Sequence, residues 1–239
     1  MNENTHRPRA VSALAAAAIV AALAVAGIAG GAAATAQPAV SGSRIGTLSM
    51  ADMQHDGMSP TSKQISLYTG MAHLWGQHME WTYATVVAFA QNSPALQASL
   101  SRLLQNQTDI GDAIEPFYGA TAASRLTALL KVHIEDAVPV LTAAKAGDDA
   151  ALQTALNAWY ANAKDIADFL AAANPHWKKA DMEQMMQTRI TQTVAYAGDL
   201  LAGDYPKAIA DYGLAEQHMD EMADMLSAGL ILQFPQAFR

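Results

Sequence analysis

The sequence predicts an all-α fold, a six-helix bundle of three antiparallel helical hairpins of about 55 residues each, behind a signal peptide and a linker. Three observations carry this. Alanine and other helix formers dominate, while β-branched and aromatic residues are sparse. Apolar residues recur at helical spacing between clear stop signals, and no alternating run of strand length interrupts them. A polar signature also occurs three times, at successive shifts of 56 residues.

The first element is a targeting segment, residues 1–36. Arg7 and Arg9 form a short positive region, residues 11–28 are a continuous apolar run, and Ala34-Thr35-Ala36 supplies a small-x-small cleavage site. The mature chain is expected to start at Gln37 and to be exported to the periplasm, cell surface or medium. The alternative is an uncleaved N-terminal anchor, since the run is long enough to span a bilayer. Glu3, Arg7 and Arg9 leave with the segment, so the net charge moves from −8 to −9. That charge argues against a nucleic-acid partner, which needs clustered Lys and Arg. With 51% hydrophobic and 15% charged residues the mature domain is globular and not membrane-embedded. The absence of cysteine removes disulfides, thiolate nucleophiles and thiolate metal sites.

Residues 37–64 read as a flexible linker, broken by Pro38, Gly42, Gly57 and Pro60. Met50, Met53, His55 and Met58 lie within it, and thioether with imidazole suits copper. A plain flexible tail is the competing reading.

The helical domain, residues 65–239, divides into hairpins 65–119, 120–175 and 176–239. Its six helices are expected at about 65–91, 94–117, 121–146, 149–173, 178–202 and 205–231. Stop signals separate them at Asn92-Ser93-Pro94, Tyr118-Gly119, Gly147-Asp148, Asn174-Pro175 and Gly203-Asp204, and Pro139 is expected to kink the third. The repeat aligns Asn106, Asn162 and His218 on the second helix of each hairpin, with Asp109, Asp165 and Glu221 three positions on. On the first helices it aligns His78, His133 and Arg189.

Each of the six ring residues lies 14 or 15 positions from its hairpin turn. At 1.5 Å per residue that is about 21 Å, one common height. All six also fall on apolar stripes such as Leu74-His78-Trp81, Leu103-Asn106-Ile110 and Leu214-His218-Met222. Packed around one core, they form a buried polar layer, which is costly unless each group has a partner. Three uses compete. A self-satisfied network would fix helix register, with Arg189 paired to an acid such as Asp165 or Glu221. A divalent transition-metal site would draw on His78, His133 and His218 with Asp109, Asp165 or Glu221. A pocket for an anionic small molecule would use Asn106, Asn162, Arg189 and the histidines as donors. The Glu-x-x-His pairs of di-iron bundles are absent, and Arg189 sets a cation where a metal would be repelled.

No catalytic residue can be assigned, because no nucleophile elbow, His-Glu-x-x-His pair or phosphate-cradling loop is found. The expectation is an exported binding or structural protein. The competing class is an envelope enzyme whose His/carboxylate-bound metal activates water or dioxygen. Leu74-Trp75-x-x-His78-x-x-Trp81-Thr82, Leu103-Leu104-x-Asn106-Gln107-x-Asp109-Ile110-Gly111 and the ending Gln233-Phe234-Pro235-x-x-Phe238 resemble motifs of an uncharacterised bacterial family of small helical proteins. The resemblance implies a helical domain over about 68–239 and adds no chemistry.

Overall fold

The computed structural model describes residues 59–239, and the expected signal segment and the Met/His cluster at Met50–Met58 lie outside them. Among the described residues there are five α-helices and no strand: α1 (Ser62–Ala90), α2 (Leu96–Ala146), α3 (Asp149–Ala173), α4 (Lys179–Ala202) and α5 (Tyr205–Gln233), then a 3₁₀ turn, Pro235–Phe238. The sequence predicts six. The difference lies at Gly119, which breaks α2 inside its span instead of ending it, with φ 80° and ψ 165°. Only glycine takes that conformation readily. The two limbs of α2, residues 96–118 and 120–146, lie back against each other. A Cβ on Gly111 would run into the Thr127 side chain and sit 3.0 Å from the Ala123 carbonyl. Pro139 keeps helical dihedrals, so the expected break is at the glycine and not at the proline.

The turns show why the chain reverses where it does. Gly147 and Gly203 end α2 and α4 in the left-handed conformation, with φ 70° and 80°. The next residue closes each end: Asp148 N–H donates to the Ala143 carbonyl and Asp204 N–H to the Asp199 carbonyl. The same two aspartates start the following helices, their carboxylates accepting from Ala151 N–H at 2.9 Å and Lys207 N–H at 3.3 Å. One Ala-Gly-Asp triplet thus stops one helix and caps the next, twice. Helix α1 starts at Ser62, three residues earlier than expected, because Thr61 and Gln64 form a capping box.

Consecutive helices pack side by side, and α5 returns against α1, so the limbs close into a ring. Lys145 Nζ ties one end, donating to the carbonyls of Phe89 and Ala90 and to Asn92 Oδ1. At the other end Asn174 Nδ2 donates to the Tyr118 hydroxyl, which donates to Gln233 Oε1, and Gln233 Nε2 donates to the Ala173 carbonyl. Phe238 stacks on Phe117 there, with ring centroids 5.5 Å apart, and its carbonyl accepts from the Thr61 hydroxyl. The core inside is mainly Leu, Ile, Ala and Met. No described helix is long and apolar enough to cross a membrane.

Candidate functional site

The repeat reappears as a repeated hydrogen bond. Asn106 Nδ2 donates to the Leu74 carbonyl at 3.0 Å, and Asn162 Nδ2 to the Leu129 carbonyl at 3.1 Å. His218 Nε2 bonds to the Met185 carbonyl at 3.0 Å. The three acceptors stand four residues before His78, His133 and Arg189. Each second helix therefore grips its partner at the same register by a side chain on a backbone oxygen.

The inner ends of these pairs differ. Since Asn162 donates with Nδ2, its Oδ1 is free to accept the proton on His133 Nδ1, at 2.8 Å. That leaves the lone pair on His133 Nε2, for which the described residues supply no hydrogen-bond partner. His78 follows the same logic from the opposite side. Arg189 Nη2, which can only donate, lies 3.4 Å from its Nε2, and its Nδ1 faces the side-chain amides of Asn106 and Gln107. Gln107 Nε2 lies 3.2 Å from that Nδ1 while donating to the Leu103 carbonyl and to Asn106 Oδ1.

His78, His133 and Arg189 are 4–5% exposed, and all three line two chambers, one on each side of their layer. The first, about 40 Å³, is walled by residues such as Met71, Trp75, Ile110, Leu130, Met186 and Met222. The second, about 50 Å³, is walled by residues such as Thr82, Val86, Leu103, Ile134, Trp159 and Thr193. Burial holds His78 well below the usual imidazole range, and the nearby charges of Arg189 and His133 lower it further. Burial pushes His133 down to about 4, with Arg189 adding to the effect and the Asn162 bond opposing it. Both imidazoles are therefore neutral at pH 7, and Arg189 carries the layer's charge.

Arg189 does not have the acid partner that the sequence predicts. Asp165 and Glu221 are exposed, and Asp109 is half-buried, paired with Arg102 at 3.2 Å. Three positions on from a buried stripe, a side chain is turned about 60° away, and here that rotation puts the carboxylates outside. Arg189 Nη1 has no hydrogen-bond partner, and neither do the indole nitrogens of Trp75 and Trp159 beside the two histidines. His218 is only half-buried, its imidazole held on the Met185 carbonyl, and Leu214, expected on the buried stripe, is 59% exposed. Among the described residues no group of three or more His, Asp or Glu is placed to hold a metal ion.

Two participants escaped the sequence reading. Gln107 is fully buried and fixes Asn106, and its place four residues after Leu103 on a buried stripe was the available signal. Tyr196, also fully buried, sets its hydroxyl against Thr193 and Arg189, and its spacing of seven from Arg189 carried the same hint. No family model, no curated protein and no solved structure matches this chain.

Proposed function

We propose that the domain is a binding protein whose interior takes up one small anionic molecule against Arg189, between His78 and His133. The observation that carries this is a guanidinium 4% exposed, with an unpaired Nη1 and no carboxylate beside it among the described residues. A buried charge without a counterion is strongly unfavourable, several kcal/mol even after relaxation, so an anion in the adjacent chambers supplies the missing partner. Asn106 and Asn162 do not touch the anion in this reading. They are positioning residues, Asn162 directly on the His133 imidazole and Asn106 by way of Gln107 beside that of His78. The repeated side-chain-to-carbonyl bonds support treating the domain as three copies of one hairpin, each contributing one inner residue. Export with cleavage near Ala36 accompanies the proposal, and the mass of the chain recovered from the cell envelope or medium tests it. Calorimetric titration with acetate tests the binding. The unmutated protein should bind it, and Arg189→Met should not; equal binding by both, or by neither, overturns the proposal.

One observation favours a metal ion as the second reading. His133 anchors Nδ1 on Asn162 and keeps Nε2 for the interior, as metal-bound imidazoles do, and His78 lines the same chambers beside it. Arg189 holds the place of a third ligand. Arg189→His should therefore bring three imidazoles together and give a melting temperature that falls with chelator, while the unmutated protein should show no chelator effect. A chelator-sensitive unmutated protein would favour the metal over the anion.

A further inference from the structure

Resting on the anion reading above, we infer that the ligand is a short hydroxycarboxylate: one carboxylate, one hydroxyl and an apolar remainder of a few carbons. Charge fixes the first part. The layer holds one permanent cation, Arg189, between two imidazoles, and a single carboxylate neutralises it where a phosphate dianion would leave a buried negative charge. Arg189 Nη1 is the donor that waits for that carboxylate.

The hydroxyl follows from His133. Its Nδ1–H is committed to Asn162, so its Nε2 can only accept, and nothing in the described chain donates to it. A bare carboxylate would set oxygen lone pairs against this nitrogen lone pair. A ligand hydroxyl close to the carboxylate satisfies it without bringing a second charge into the interior. Arg189 Nη1 is thus an unpaired donor and His133 Nε2 an unpaired acceptor, with the Trp75 and Trp159 indole N–H groups also unpaired beside them, and a hydroxycarboxylate complements this set of mainly donors with one acceptor.

The chambers set the remainder. The second could have been polar, since Thr82, Thr85 and Thr193 line it. Each of these hydroxyls donates to a carbonyl of its own helix four residues back, on His78, Trp81 and Arg189. Their methyl groups are left for the cavity. The first chamber is lined by apolar side chains apart from the shared layer, and Met71, Met186, Met219 and Met222 give it some adaptability. At about 10–15 Å³ per water-sized site, chambers of 40 and 50 Å³ hold about three or four heavy atoms each. A fatty acid is too long, and a sugar acid would strand its extra hydroxyls.

Calorimetric titration of the mature protein with butyrate, 2-hydroxybutyrate, 2-hydroxyoctanoate and inorganic phosphate tests this. 2-Hydroxybutyrate should bind tightest, about tenfold better than butyrate, the value of pairing a buried acceptor. 2-Hydroxyoctanoate and phosphate should bind weakly or not at all. In His133→Leu the preference for the hydroxyl should vanish while butyrate still binds, an effect that a merely structural role would not produce. Should that variant fail to fold, comparing the two four-carbon acids on the unmutated protein still decides. Butyrate binding as well as 2-hydroxybutyrate, or the eight-carbon acid or phosphate binding tightest, overturns the hydroxycarboxylate and leaves the anion reading standing. If no carboxylate binds, both fall.

Discussion

His133 shows how much of the site depends on single bonds. Its environment holds one titratable partner from each side, His78 on α1 and Arg189 on α4, while α3 supplies Asn162 and α5 faces the chamber with methionines and leucines. The unfolded chain protonates such a histidine near 6.5, and the folded chain only near 4. Between these values the unfolded state binds the extra proton, so stability falls as pH drops from about 6.5 toward about 4 and levels off below. His133 alone accounts for a loss of about 3 kcal/mol, and His78 acts in the same direction. Urea unfolding at pH 7.5 and 5.0 should show about 2 kcal/mol of this loss from His133, absent in His133→Leu; equal stability at both values would mean that the imidazoles are not held neutral. Asn162→Ala should cost about 1–3 kcal/mol, because it strands the His133 Nδ1 proton as well as losing the grip on α2. At this scale the sequence made His78, His133 and Arg189 legible through their common distance from the turns. It did not reveal that Arg189 lacks an acid. Spacing fixes which helix face a residue occupies to within tens of degrees, and that margin separates an inward aspartate from an outward one.

The helices were the most readable elements, since their ends carry local signals whose physics is complete within a few residues. Ala146-Gly147-Asp148 and Asn174-Pro175 together mark the observed bounds of α3. The capping box at Thr61 and Gln64 is equally local, but Ser59-Pro60 just before it reads as linker and masks it. What no local signal revealed was close contact between elements, which depends on the partner's surface. Gly229 on α5 lies against the Trp177 indole, so closely that a Cβ would collide with it, whereas nothing lies within 4 Å of the equivalent position on Gly213, in the exposed face of the same helix. Gly229→Ala should therefore destabilise by about 1–3 kcal/mol through overpacking, despite its better helix propensity. Gly213→Ala should stabilise by up to about 1 kcal/mol for the propensity alone. Thermal unfolding of the two variants checks the pair, and stabilisation by both would show that Trp177 does not pack on α5 as described.

For the whole molecule, a ring of helical limbs closes around a layer that is polar and a core above and below that is not. The outer members of the layer satisfy backbone carbonyls at one register, and the inner members face two small chambers with one charge among them. A protein needing only a packed interior would gain from an apolar side chain in place of that guanidinium, since replacing buried charge by hydrophobic volume is often neutral or stabilising. This gives the account a crossing prediction for Arg189→Met, read as melting temperature in a buffer whose only anion is too large for the chambers. Without a small anion the variant should melt at or above the unmutated protein. Added 2-hydroxybutyrate should raise the unmutated protein's melting temperature with the logarithm of its concentration and leave the variant's unchanged. A variant that melts far below the unmutated protein in anion-free buffer, by the equivalent of about 3–5 kcal/mol, with no response to the acid in either, would show that Arg189 belongs to the fold and not to a ligand.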